Sequence, residues 1–169
     1  GSVTLAETGG LYAGAEANIT AGGDVNLGGD VQVLSDLNVS ASNIHSDAEI
    51  SSLAGNVNLE ATDNIDVSAG RVSASAINLD AGREARIGDT YIQAADVNVT
   101  ATDVALGESA IFSADTIVLD AAESFINGAR IIGDDLNIDV RFTEDFTNLA
   151  TGVYLWNAIE LTISGQFTN

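Results

Sequence analysis

The 169 residues contain no cysteine, no proline and no lysine, one histidine, and only 5% aromatic residues. Without cysteine the fold cannot depend on disulfides, and thiol nucleophiles and thiolate metal sites are excluded. Such a chain suits export in unfolded form, where a premature disulfide would block passage. Without proline every strand can donate its amide hydrogens, as an uninterrupted parallel stack requires. No apolar run approaches the length of a spanning helix, so membrane insertion is not expected, and the N-terminus lacks the charged and apolar regions of a signal peptide. A lone His45 cannot belong to a multi-histidine metal site. A Ser46/His45/Asp47 triad is excluded because neighbouring residues on a strand point in alternate directions.

Positive charge is scarce as well. Twenty-five acidic residues face five arginines, for a formal net charge of −20. That field repels phosphate backbones and anionic membranes, so nucleic acid is not an expected partner. It also keeps a strand-rich protein soluble and opposes edge-to-edge association. A hydrophobic content of 46% and a mean hydropathy of +0.20 exclude a disordered tail and allow one domain with a continuous core.

What the chain has in abundance is repetition. Ala21, Ala41, Ala61, Ala81, Ala101 and Ala121 recur every twenty residues. Three positions before each stands the centre of an apolar-flanked trio, and that centre is Asn18, Asn38, Asn58, Asn78 and Asn98 in turn, then Val118. The trio returns one residue early as Leu136-Asn137-Ile138, and later as Leu161-Thr162-Ile163, giving about eight coils of roughly 20 residues. A period in this range marks a structural unit that cannot bury its own apolar face, so function has to be sought in a stack rather than a pocket.

Each unit contains three short alternating runs, such as Val57/Leu59, Ile65/Val67 and Val72, separated by Gly, Asn, Asp and Ser. Period-two alternation with abundant Val and Ile predicts strands, and three per coil predict an all-β, triangular parallel β-helix. Eight coils at one inter-strand spacing each give a rod on the order of 38 Å. No segment sustains a 3.6-residue apolar period, which excludes helices.

The alternation assigns faces. With Val57 and Leu59 inward, Asn58 faces outward, and Asn18, Asn38, Asn78, Asn98 and Asn137 are expected to stack with it as an amide ladder that fixes register. The alanines need an inward corner where two sheets converge. Beyond Ala121 the period lengthens to about twenty-one, the alanine position is expected to pass to Val140 and then Gly165, and Phe125, Phe146 and Phe167 form a new column, with Asn127, Asn148 and Asn169 two residues on. The expected organisation is one repeat domain over residues 3–169, with a register change near 122 and with Gly1-Ser2 read as a cloning remnant. Both ends fall within the repeat, so a longer parent is expected.

One acidic column, Glu60, Asp80, Asp120 and Asp139, follows the ladder. Carboxylates one coil apart would lie about 5 Å from each other, a spacing suited to acid–base work or to calcium. Glu60, Asp80 and Asp120 are therefore weak calcium candidates. Catalysis is not expected, because the repeat leaves almost no room for the long loops that build a cleft. The glycine–aspartate nonapeptides of calcium-binding β-rolls are missing, and no cofactor is expected. Asn18, Asn38 and Asn98 each begin an Asn-x-Ser/Thr sequon, which the repeat itself generates. Tyr154 and Trp156 fall on one face of a strand, where they either enter the core or form a stacking platform for a sugar or a partner, and they are the candidate ligand contacts.

The strings Ala21-Gly-Gly-Asp-Val-Asn-Leu27, Leu53-Ala-Gly-Asn-Val-Asn-Leu59, Ile77-Asn-Leu-Asp-Ala-Gly-Arg83 and Leu161-Thr-Ile-Ser-Gly-Gln-Phe-Thr-Asn169 resemble the shaft repeats of filamentous-haemagglutinin-like exoproteins over nearly the whole chain. These are large bacterial proteins of the two-partner secretion type, including adhesins and contact-dependent growth-inhibition proteins. The resemblance implies a right-handed parallel β-helix, an outer-membrane transporter as partner, and a place outside the cell or on its surface. The asparagine–proline motifs of that family's secretion domain are absent, as is a toxin-like tail. The expected function is a non-catalytic shaft for adhesion to a receptor or glycan, or for presentation of a distal module. The alternative is a polysaccharide-active β-helical enzyme using stacked carboxylates.

Overall fold

The computed structural model describes residues 1–133, 138–142, 145–155, 159–163 and 166–168. Its strands run in chain order as β1 (Val3–Leu5), β2 (Gly10–Ala13), β3 (Ala17–Thr20), β4 (Val25–Leu27), β5 (Asp30–Val33), β6 (Leu37–Ser46) and β7 (Ile50–Ser52). Then come β8 (Val57–Ser73), β9 (Ala76–Ala81), β10 (Glu84–Gln93), β11 (Asp96–Leu106), β12 (Ile111–Ser113) and β13 (Thr116–Asn127). The last are β14 (Arg130–Ile132), β15 (Ile138–Phe142), β16 (Asp145–Asn148), β17 (Val153–Leu155), β18 (Ile159–Ile163) and β19 (Gln166–Thr168).

Every pairing among them is parallel, and each strand bonds to the strand about one repeat further along the chain. The fold is an all-β parallel solenoid of roughly seven turns. The pairings follow three lines along its axis. The Asn line joins β3, β6, β8, β9, β11, β13, β15 and β18. The second line passes from β1 and β4 through the distal part of β6, the middle of β8, the start of β10 and the distal parts of β11 and β13 to β16 and β19. The third starts at β2 and passes through β5, β7, the end of β8, the end of β10, β12 and β14 to β17.

Alternation along each strand fills the interior with Val, Ile and Leu, and one hydrophobic cluster runs without a break from Val25 to Ile131. Leu5, Leu11, Ala17 and Ile19 occupy the same columns but are only partly buried, because the first coil has a neighbour on one side only. Phe112 and Phe125 are the bulkiest fully buried side chains. Phe125 is in register with Phe146, and Phe146 with Phe167, so the phenylalanine column exists in the backbone register.

The alanines sit where the Asn line turns into the second line. Ala61 is in register with Ala41 and Ala81, Ala121 is in register with Ala101, and all five are buried. The corner after them varies in length. Ala41 to Asn43 pairs with Ala61 to Asn64, and Ala101 to Asp103 pairs with Ala121 to Ser124, so one strand carries an extra residue each time. Such bulges let the backbone turn without losing the ladder on either side.

The expected continuation of the alanine column is corrected by this register. Ala121 pairs with Phe142, and Phe142 with Ile163, rather than Val140 and Gly165 taking the alanine position. Val118 pairs with Asp139, which continues the register of the ladder column, and Asn137 lies outside the described residues. The physical reason is the extra corner residue after Ala121, which the fixed twenty-residue ruler does not contain.

Candidate functional site

Along the Asn line the outward amides form a directed chain. Asn38 Nδ2 donates to Asn18 Oδ1 at 2.9 Å, Asn58 to Asn38 at 2.7 Å, Asn78 to Asn58 at 2.7 Å, and Asn98 to Asn78 at 2.8 Å. Asn18 Nδ2 in turn donates to Glu16 Oε1 at 2.7 Å. At the other end Val118, in register with Asn98, offers no polar atom. Each internal amide spends one of its two donors and one of its two acceptor sites on its neighbours, so the column holds register.

The carboxylates beside it are more dispersed than their spacing suggests. Glu60 is in register with Asp80, Asp80 with Thr100, Thr100 with Asp120, and Asp120 with Arg141. Asp139 is thus not a member of this column, and two carboxylates at most are adjacent. Glu60 and Asp80 are exposed on an open β-face. Among the described residues no group of three or more His, Cys, Asp or Glu side chains could hold a metal ion.

On the second line His45 faces outward between two carboxylates, with Nε2 3.1 Å from Asp47 and Nδ1 3.6 Å from Asp66 of the next coil. Ser46 points the other way and is fully buried, as alternation requires. A second, shorter ladder marks the corner before this line, where Asn43 Nδ2 donates to Asp24 Oδ1 at 2.8 Å and Asn64 Nδ2 to Asn43 Oδ1 at 2.9 Å. Sequence reasoning missed both relationships. Their only signal was a spacing of 19 or 21 residues rather than 20.

Buried polar groups are structural. Thr90 donates to the Val67 carbonyl at 3.0 Å, and Ser52 donates to the Ser35 carbonyl at 2.6 Å while accepting from the Gly55 amide. Asn127 donates to Asn148 Oδ1 at 2.9 Å and accepts from the Ala129 amide, closing the turn into β14. These hydrogen bonds satisfy the buried polar groups and tie neighbouring coils and turns together.

Of the aromatic candidates, Tyr154 belongs to the third line. Tyr154 is in register with Ile131, which pairs in turn with Phe112, and both of those are buried. Trp156 lies outside the described residues.

The surface is otherwise shaped by shallow grooves. One of about 130 Å³ lies over Asn18, Asn38 and Asn58. The others run along the third line, where Tyr12 is 70% exposed and Leu53 62% exposed. This geometry suits an extended partner lying along the rod better than a small substrate enclosed in a pocket. Comparison with protein-family models, with curated proteins and with solved structures finds no match, so what places this chain is its own geometry, that of a parallel β-solenoid.

Proposed function

We propose that the chain is a non-catalytic shaft segment, a right-handed β-helix with three short strands per coil, in a bacterial exoprotein of the filamentous-haemagglutinin-like kind. In this reading the parent leaves the cell through a dedicated outer-membrane transporter and stands at the cell surface, adhering to a receptor or glycan or holding a distal module away from the envelope. One observation carries it: the core is a single cluster from Val25 to Ile131, and the strands that enclose it, β4 to β14, are joined by connections of no more than four residues. A stack of coils each bonded mainly to its neighbours is stiff along its axis and can be lengthened coil by coil. The enzymatic alternative rests on the Glu60–Asp80 pair, which stands exposed on an open β-face without walls to exclude water.

A register-preserving deletion tests the proposal. Removing residues 58–97 joins Val57 to Asn98 and takes out two coils, because Val57 pairs with Ile77 and Ile77 with Val97. The shortened protein is expected to fold cooperatively and to be shorter by about 10 Å in small-angle scattering, two inter-strand spacings. Collapse of the whole fold would contradict a modular shaft. Release of reducing ends from polysaccharides by the intact protein, lost in Asp80→Asn, would establish the enzyme instead.

A further inference from the structure

The outward column of the third line differs in kind from the Asn ladder. Tyr12, Gln32, Ser51, Ser73, Gln93 and Ser113 follow one another in register, one per coil. None is charged, although the chain holds 25 carboxylates. The column cannot satisfy itself as the asparagines do, because two serines separate the two glutamine amides. Gln93 Oε1 accepts from Arg71, which also stacks over the Tyr91 ring at 5.3 Å, and Ser73 donates to Ser51 at 3.3 Å. The Gln32 amide, Gln93 Nε2 and the Tyr12 hydroxyl have no hydrogen-bond partner among the described residues. The amides of the Asn line are thus tied to one another, whereas those of this line are presented to the outside.

The same column borders a trough. A groove of about 300 Å³ runs from Tyr12 to Leu53, a second of about 400 Å³ from Leu53 to Asp115, and a third of about 190 Å³ from Gln93 to Gly133. Neighbouring grooves share Leu53 and then Gln93, Ala94 and Asp115, so they join end to end along the axis. Exposed Leu34 and Leu53 add apolar surface at the Tyr12 end, and small alanines and serines keep the middle open.

We propose that this trough binds an extended, uncharged polysaccharide lying parallel to the rod. Amides and hydroxyls match sugar hydroxyls, and the exposed Tyr12 ring offers a face on which a pyranose can stack. A rung spacing of about 4.8 Å is close to the length of one pyranose unit, so the seven rungs from Tyr12 to Ile132 span about 29 Å. The net charge of −20 turns away acidic polymers. An extended peptide fits less well, since strand addition needs an open backbone edge and these rungs already spend their amides on each other. This inference names the ligand class for the adhesive part of the proposed function and leaves the shaft part independent.

Titration of the intact protein with dextran, a soluble β-glucan and a galactomannan, against heparin and polygalacturonate, tests it. At least one neutral polymer is expected to bind with little dependence on salt. Tyr12→Ala and Gln32→Ala should each weaken that binding tenfold or more, while Thr100→Ala, exposed on the Asn line, should leave it unchanged, and all variants should keep the parent melting temperature. Absence of binding to every neutral polymer, a preference for the acidic ones, or binding indifferent to Tyr12 and Gln32 would overturn the trough. Each of those results leaves the scattering test of the shaft untouched, so the two readings fail separately.

Discussion

The Glu16 carboxylate accepts the side-chain amide of Asn18 at 2.7 Å, at the foot of four further amide steps that all donate in the same direction. Every donor points toward the N-terminal end of the rod, so the amide dipoles add, and the negative group stands where their positive ends accumulate. The arrangement parallels a carboxylate at a helix N-terminus, with side chains in place of the backbone. Glu16 also lies 3.3 Å from Asn38 Nδ2 and so reaches two rungs.

A break in the middle of this chain should cost more than one at its end. Asn78 donates to Asn58 and accepts from Asn98, so Asn78→Ala removes two hydrogen bonds and leaves half-buried partners on both sides. A loss of about 1–3 kcal/mol is expected, read as a lower denaturant midpoint with an unchanged slope. Asn78→Asp should be worse at neutral pH, since its carboxylate would face Asn58 Oδ1, acceptor against acceptor. Acidification should relieve that excess, because the protonated carboxyl can donate. Equal effects of the two substitutions at all pH values would show that the ladder is not directional.

The ladder can also be lengthened. Val118 is in register with Asn98, whose Oδ1 has no donor from that coil. Val118→Asn places an amide where its Nδ2 can reach this oxygen, with a net gain of about 0.5–1 kcal/mol reduced by the poorer strand propensity of Asn. The measurement is a rise in melting temperature that disappears when Asn98 is first changed to Ala. A rise that survives Asn98→Ala would mean the gain came from elsewhere.

What could be read from the sequence follows a physical division between strands and corners. Asn38, Asn58, Asn78 and Asn98 were legible because alternation sets their direction and the Asn line keeps a twenty-residue step. Phe125 and Phe146 were legible for the same reason at a step of twenty-one. Corners obey no such rule. One added residue bulges outward at little cost, as between Ala61 and Asn64, and it shifts the second and third lines of that coil against a fixed ruler while the Asn line keeps its step. That displaced the alignment of Val140, and it hid the pairing of His45 with Asp66. The trough was invisible because Tyr12, Gln32, Ser51, Ser73 and Gln93 are spaced by 20, 19, 22 and 20 residues. Its residue types also vary, where the ladder repeats one.

Divalent ions should act on this rod through charge alone. Glu60 and Asp80 are adjacent, Thr100 separates Asp80 from Asp120, and Arg141 follows, so this column falls short of the six or more oxygens that calcium prefers, and no group of three or more His, Cys, Asp or Glu that could hold a metal ion is found among the described residues. Calcium and magnesium at equal concentration are expected to raise the melting temperature by the same small amount, as screening of a net charge of −20 would. A rise specific to calcium, reversed by chelator and lost in Asp80→Asn, would reveal a site.

Gly70 provides the sharpest test of a single backbone position. Its φ is +86°, which L side chains rarely adopt, and a Cβ there would come within 2.8 Å of the Ala48 carbonyl oxygen in the coil before. Two costs therefore coincide in Gly70→Ala: about 1 kcal/mol or more for the left-handed conformation, and displacement of a backbone atom that cannot swing aside. Gly14 is the internal control. A Cβ on it meets nothing within 4 Å and its φ is not in the positive range, so Gly14→Ala should be neutral or slightly stabilising by restricting the unfolded chain. Because Gly70 lies between the second and third lines inside β8, the damage should be local at first. Amide exchange is expected to accelerate in β7 and the end of β8 before it does so in β11 or β13, as in a stack whose coils are held by their neighbours. Uniform acceleration along the whole rod would mean instead that the solenoid unfolds as one cooperative unit.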